Sequence, residues 1–317
     1  QTARFLLDGR PPEVGSYPHP SLDVALRFWA LPEAGRARFI IRDSAVTFDQ
    51  SRLLSLEFQA QGVPTPASEH ARWYIRDPRL EPPLPPTENI GRVINGSSLN
   101  KYVLGGTSLF GRFQHVLSDA SLGPGLSHYR RILDWGCGAG RLTRYLLAEA
   151  PPEQEVWGAD VDAINIDWCR SAYPDGHFEQ ISLLPPTPFP DGYFDLIIGV
   201  SVLTHLRENV ATQWLHELRR IAAPGALLLF TIHGPSLMAL NGAPGRLAAT
   251  LSRQGIVLTG VNPQLSFSGS SHEEPYYVDV CHSHEYVRSR WGQGLQVRDI
   301  RQGVGLHQDL VILRRAP

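Results

Sequence analysis

Three glycines at alternate positions, Gly136, Gly138 and Gly140, follow an aspartate, Asp134, in the stretch 131–141 (RILDWGCGAGR). Such a turn serves ligand approach. Without a Cβ the chain bends sharply and its backbone comes close to a bound molecule. A helix starting just after the turn adds free N–H groups for a polar or anionic ligand. Two nucleotide-type ligands use turns of this kind. The dinucleotide fingerprint G-x-G-x-x-G asks for a third glycine where Arg141 stands. It also has no use for the Asp134 carboxylate, which a pyrophosphate would meet unfavourably. A carboxylate there suits a cationic or amine-bearing ligand. An NAD-dependent oxidoreductase is therefore the weaker reading of the turn.

Residues 133–140 (LDWGCGAG) resemble motif I of the class I S-adenosylmethionine-dependent methyltransferases. The resemblance covers roughly residues 100–315 and none of the first 86. It implies an α/β fold, a Rossmann-like seven-stranded methyltransferase sheet, with S-adenosyl-L-methionine as cofactor. By the same resemblance Asp134, Gly136, Gly138 and Gly140 hold the amino acid part of the cofactor. Cys137 then packs beneath it as a small buried hydrophobe rather than acting as a nucleophile. Asp160, twenty residues past Gly140, is placed to accept hydrogen bonds from ribose hydroxyls, and Val161 to pack on the adenine. The family's next signal is matched only in its second half, by 185–192 (PPTPFPDG) and Phe194-Asp195. Its usual acidic residue is replaced near Ile181 and Ser182. Adenine contacts at those two positions, and at Val200 beyond the following strand, are expectations by position.

The resemblance also places the segment 201–206 (SVLTHL) beside the transferring methyl group. His205 is the first candidate for a general base, because imidazole titrates near working pH and an alcohol acceptor must lose its proton. A cofactor contact or a helix cap is the plainer role for it. His233 follows the next strand, where ligands of open parallel sheets sit. It is a second candidate base or substrate contact, with a polar loop residue as the plain alternative. The segment 261–291 is where such enzymes carry substrate-specific elements, and it holds hydroxyl, imidazole and carboxylate groups at high density. Tyr276, Tyr277 and His282 are its substrate candidates. Metal is not expected there: in a strand Cys281 and His284 point to opposite faces, and the spacing is poor for a structural zinc site. Ser283 reads as the N-cap of a helix over the residues that follow.

These residues need a parallel sheet to hold them. Ile132 and Leu133 end a short buried strand, and Leu142, Tyr145 and Leu146 share one helix face before Pro151-Pro152 stops it. Residues 155–159 give a second strand ending at Asp160, residues 194–200 a nearly continuous apolar one, and residues 226–232 another. Val210, Trp214, Leu218 and Ile221 lie on one helix stripe, with Pro224-Gly225 as its stop. Residues 295–300 and 309–314 read as a closing antiparallel pair. Residues 108–117 read as a helix, with Phe110, Phe113 and His115 either covering the cofactor or packed in the helix core.

Residues 1–86 differ. Alternating apolar and polar residues over 22–28, 37–42, 53–58 and 72–75 predict a small β-sheet or sandwich, and the proline-rich 77–86 a stiff linker. The expected division is an accessory β domain over 1–86 and a methyltransferase domain over 87–317. The first domain is read as a carbohydrate or carrier binder, a dimerisation element or a structural accessory.

With 317 residues the chain is long enough for two such domains. A formal net charge of −2 argues against a nucleic-acid binder, and no run reaches membrane-spanning length. Lys101 is the single lysine, as in chains encoded by GC-rich bacterial genomes. Three scattered cysteines predict no disulfide framework and a cytoplasmic setting. Starting at Gln1, the chain is expected to be a module of a longer protein or a homodimer. The expected activity is O-methylation of a small polar molecule, a sugar, glycoside or natural product. The alternative is a cofactor-binding module without catalysis.

Overall fold

The structure is a computed structural model, and it describes residues 3–22, 36, 38–47, 49, 51–60, 63–64, 72–94, 97–119, 121–123, 125–240, 245–261, 277–292, 294–305 and 308–316. Its contacts divide the chain into two compact units, Gln1–Glu81 and Pro82–Pro317.

The first unit is all β: β1 (Ala3–Leu7), β2 (Val14–His19), β3 (Arg38–Arg42), β4 (Arg52–Ala60), β5 (Val63–Pro64) and β6 (Arg72–Ile75). β4 pairs antiparallel with β1, β5 and β6, while β2 and β3 form a separate antiparallel pair. Alternation along β1 and β4 turns Phe5, Leu7 and Leu56 inward, where Tyr17, Ile41 and Phe58 pack on them. A Cβ on Gly15 would stand 2.7 Å from the Phe5 ring, so β2 can lie this close only as glycine. The strand expected over 22–28 lies, beyond Leu22, outside the described residues.

The second unit opens with α1 (Thr87–Val93) and α2 (Leu99–Leu117). α2 is longer than the helix expected over 108–117, because it runs through Gly105-Gly106 rather than breaking there. A Cβ on Gly106 would stand 2.6 Å from the Arg141 carbonyl oxygen and 2.8 Å from the Tyr145 ring. Glycine here lets the helix lie against the glycine turn, and the Tyr102 hydroxyl donates to the Ala139 carbonyl at 2.9 Å. Phe110 and Phe113 are core residues of this packing.

Strands and helices then alternate: β7 (Arg131–Trp135), α3 (Thr143–Glu149), β8 (Glu155–Asp160), α4 (Ala163–Ala172), β9 (His177–Gln180), β10 (Phe194–Gly199), α5 (Glu208–Ile221) and β11 (Ala222–Ile232). α6 (Pro235–Leu240), α7 (Gly245–Gln254), β12 (Ile256–Val261), β13 (Val278–His282), α8 (His284–Arg290), β14 (Leu295–Gly305) and β15 (Gln308–Arg315) complete the chain. The main sheet has seven strands in the order β14-β15-β11-β10-β7-β8-β9, and β7 to β11 are mutually parallel. β15 pairs antiparallel with β11 and β14 with β15, the closing pair expected from sequence. α5 passes straight into β11 at Ala222, so Pro224-Gly225 sits inside the strand instead of ending the helix. The register shift opposite Phe194 and Leu196 of β10 accommodates three extra residues of β11 between Ala222 and Leu227, and Gly225 takes φ +79°.

Burial explains the apolar runs. Ile132, Leu133, Leu196, Ile197 and Ile198 are wholly buried at the middle of the sheet. Asp195, in the same strand, accepts from the N–H groups of Arg130 and Arg131 at 2.7 and 2.9 Å, and so fixes where β7 begins. The strand order reverses at β7, with β8 on one side and β10 on the other. That is the place where a crevice opens beyond the strand ends.

Candidate cofactor and acceptor site

A cavity of about 640 Å³ opens at this switch point. One end is the glycine turn. Gly136, Gly138 and Gly140 have φ values of +76°, +53° and +82°, a region that side chains disfavour. A Cβ on Gly136 would stand 2.3 Å from Val202, and one on Gly138 2.7 Å from Val93. Gly140 does different work: it faces Tyr173 and Cys169 of α4 and does not line the cavity. Cys137 does line it, and its thiol is pushed up by the contact with Cys169 and by burial.

Carboxylates sit around the turn. Asp134 is 2% exposed and accepts from the Thr143 hydroxyl at 2.6 Å. Burial pushes its carboxyl up to about 6. Asp160 ends β8 and accepts from the N–H of Gly138 at 2.7 Å and of Asp162 at 2.9 Å. Burial raises it, while those two donors oppose the shift. Each oxygen keeps capacity for one further donor. Asp162 caps α4 and pairs with Arg92 at 2.5 Å. Arg141 also lines the cavity, buried enough that its guanidinium is pushed down. Val161, Ile181 and Val200 complete the apolar lining, with Trp214 between them from α5. The Trp214 indole N–H donates to the Leu183 carbonyl at 3.2 Å. Ser182 is exposed and outside the cavity.

The other end is built from the tips of β10, β11, β13 and β15. His205 and His233 both line it, with ring centroids 6.1 Å apart and planes at 86°. Leu206 bridges to Tyr277, which draws the segment 277–279 alongside the histidines. His205 Nδ1 lies 3.1 Å from Asp279 Oδ1 and 3.3 Å from the Val278 carbonyl oxygen. Burial lowers the His205 pKa from its ordinary value, with Asp279 pulling the other way. His233 is pushed down to about 4, by burial first and then by its neighbour His205. Tyr277 lines the cavity; Tyr276 lies outside the described residues. His282 does not reach the cavity. It is 1% exposed at the end of β13, packed on Tyr286 and Trp291. The Ser283 hydroxyl caps α8 by accepting from the Tyr286 N–H at 3.1 Å. Among the described residues no histidine, cysteine and carboxylate cluster is arranged for a metal ion.

Asp279, Gln308, Arg141 and Trp214 are site residues that sequence reasoning passed over. Only Arg141 carried a signal, as the residue in the third-glycine position. The others arrive by folding from distant segments.

The residues fit the cofactor that the glycine turn led us to expect. The buried Asp134 and half-buried Asp160 carboxylates, the Arg141 cation and an apolar slot match its ammonium, ribose, carboxylate and adenine. Sheet order, switch point and turn agree with the resemblance to the class I, S-adenosylmethionine-dependent methyltransferases. Residues 132–225 match the family described as methyltransferase domain. A ubiquinone/menaquinone biosynthesis C-methyltransferase, UbiE, of Burkholderia multivorans is 33% identical over 120 residues. That stretch is 36% of this chain and 46% of the relative, so the chain spans about half the length of the curated relatives it matches. Among solved structures, magnesium protoporphyrin IX methyltransferase from Synechocystis, with S-adenosylhomocysteine bound, is 17% identical with a TM-score of 0.45. It covers 72% of this chain and 94% of its own. A methyltransferase from Aquifex aeolicus is 17% identical with a TM-score of 0.44, covering 74% and 100%. No helix among the described residues is long and apolar enough to cross a membrane.

Proposed function

We propose that this protein moves the methyl group of S-adenosylmethionine onto a hydroxyl of a small polar molecule, such as a sugar, glycoside or other natural product. The observation that carries this reading is the His205–Asp279 pair opening into the same cavity as the glycine turn. Bound there, the cofactor supplies a methyl group on a positively charged sulfur. Asp134 offers its carboxylate to an ammonium, Arg141 its guanidinium to a carboxylate, and Asp160 two oxygens to ribose hydroxyls. Val161, Ile181 and Trp214 flank the adenine slot.

His205 donates its Nδ1 proton to Asp279, which fixes the tautomer and leaves the Nε2 lone pair for an incoming hydroxyl. Burial keeps the imidazole neutral and ready to take the proton, and Asp279 stabilises the imidazolium that results. The remaining task is alignment of the acceptor oxygen at this end of the cavity. The UbiE relative favours a second reading, methylation at carbon. A base beside the transferred methyl would serve that too, by removing a proton from an activated ring.

The test is S-adenosylhomocysteine formation by the purified protein across a pH series, with polyhydroxylated acceptors including glycosides. We expect turnover to rise with pH through a midpoint below 6.5, as His205 loses its proton. His205→Ala should lower kcat by about 100-fold. Asp279→Asn removes the charge that raises the His205 pKa, so the acid limb should move to still lower pH while the maximal rate falls. An unchanged rate in His205→Ala, or an acid limb unmoved by Asp279→Asn, defeats the base assignment. Fragmentation of the methylated product tells a methyl ether from a new carbon–carbon bond.

A further inference from the structure

A second polar cluster beside the His205–Asp279 pair takes no part in that proton transfer. His233 Nε2 lies 3.3 Å from Gln308 Nε2. An amide N–H can only donate, so Nε2 is the bare nitrogen and the ring proton sits on Nδ1. The Gln308 amide and the Ser201 hydroxyl hold each other, at 2.8 Å through the amide nitrogen and 3.0 Å through its oxygen. Ser201 has φ +61°, a left-handed conformation for a residue with a side chain, and its N–H donates to the Thr231 hydroxyl at 2.8 Å. The next residue after Gln308, Asp309, is wholly buried and is met by the His284 ring at 2.7 Å and the Gly303 N–H at 2.9 Å. Backbone held in a sparse region from several sides is found where a side chain must keep one direction.

The two histidines therefore present opposite faces to the cavity. Among the described residues His205 meets its partners through Nδ1 alone, and His233 through Nε2 alone. His205 offers an acceptor at Nε2, and His233 offers a donor at Nδ1. Asp279 is the one charged side chain at this end among the described lining residues, and His205 already engages it.

Resting on the methyl-transfer reading above, we propose that the acceptor is a neutral vicinal diol, with one hydroxyl addressed by His205 and its neighbour by the Ser201–Gln308–His233 cluster. The first hydroxyl gives its proton to His205 Nε2. Its oxygen forms a bond to the methyl carbon as the carbon–sulfur bond breaks, with that electron pair leaving on sulfur. The second hydroxyl oxygen accepts from His233 Nδ1–H, and Gln308 and Ser201 keep that imidazole in its tautomer. A lone alcohol would leave the His233 donor unpaired, which a site built to hydrogen-bond penalises. A neighbouring phosphate or carboxylate would find no cation there among the described residues.

The experiment uses the protein loaded with S-adenosylhomocysteine and labelled with ¹⁵N-histidine, titrated with cis-1,2-cyclohexanediol and with cyclohexanol. We expect the diol to bind at least tenfold more tightly and to move the ring-nitrogen signals of both His205 and His233. Cyclohexanol should move those of His205 alone. Gln308→Leu keeps both histidines and is expected to remove most of the tenfold advantage, with cofactor affinity measured alongside to show the fold is intact. Equal affinities, absent diol binding, or a diol shift confined to His205 overturns the proposal in the wild-type protein. Tighter binding of 2-aminocyclohexanol than of the diol overturns it as well, and assigns the second position to an ammonium drawn by Asp279. The base assignment is decided separately, by the turnover of His205→Ala and its acid limb, so the two readings fail on different measurements.

Discussion

The two ends of the cavity are built in opposite ways. The glycine-turn part of the cofactor end is local: Asp134, the glycine turn, Arg141, Asp160 and Val161 all lie within residues 134–161, although Ile181 and Trp214 reach the apolar slot from further along the chain. The acceptor end is collected from afar, with Ser201 meeting Gln308 across 107 positions and His205 meeting Asp279 and Val278 across 74 and 73. A local site has its geometry set by backbone conformation, and a collected one by strand pairing and side-chain contacts. The first should break when a backbone angle is denied, and the second when a supporting strand is loosened.

The largest expected effect is at the turn. Gly136→Val asks a β-branched residue to take φ +76° and to share space with Val202. Calorimetry should show S-adenosylhomocysteine affinity reduced at least about 100-fold, or ~2.7 kcal/mol. Gly225→Ala is the control, because its φ is +79° yet nothing lies within 4 Å of the added Cβ. That variant should lose some stability and keep cofactor affinity. If both variants bind normally, the turn is not where the cofactor sits.

Asp160→Ala is expected to act less strongly, weakening the same affinity about tenfold or more, ~1.4 kcal/mol. Part of the loss is indirect, since the carboxylate also ties the Gly138 N–H. Asp160→Asn keeps one oxygen for that N–H and should recover part of the affinity. Full recovery of affinity in Asp160→Asn would place Asp160 in support of the turn rather than in contact with ribose.

That contrast also explains what could be read in the chain before folding. Asp134, Gly136, Gly138 and Asp160 were legible as cavity residues because motif, turn and strand end lie in sequence order, Gly140 serving the turn's packing instead, and the seven-stranded sheet followed from the motif's family. His205 and His233 were legible as strand-end residues only. Asp279 gave no sign of becoming a histidine's partner, because that depends on Leu206 bridging to Tyr277. Gln308 falls one residue before the closing strand read from sequence over 309–314, and its meeting with Ser201 depends on β15 pairing beside β11. His282 looked like a substrate group on composition alone. The structure turns it inward, since β13 alternates and Val278, Val280 and His282 all face the core.

His282 supplies the smallest and most discriminating effect, because it tests whether the collected end depends on its strand. Both ring nitrogens are buried without a hydrogen-bond partner among the described residues, and burial holds the pKa near 3 against an ordinary 6.5. Its β13 neighbours Val278 and Asp279 carry the contacts to His205, and its own N–H donates to the His233 carbonyl at 2.8 Å. A histidine with a depressed folded-state pKa binds its proton more readily when unfolded. Its stabilising contribution is thus complete above 6.5 and declines as pH falls from 6.5 toward 3. The slope is about 1.4 kcal/mol per pH unit at most, so on the order of 1 kcal/mol is lost by pH 5.5. His282→Leu fills similar space without a titrating group and should flatten the acid side of the stability curve. If the strand supports the acceptor end, hydrogen exchange at pH 5.5 should rise at Val278–His282 before it rises at Asp134–Gly140, and His282→Leu should remove that order. Equal loss of protection at both ends would mean the two halves of the cavity open as one unit.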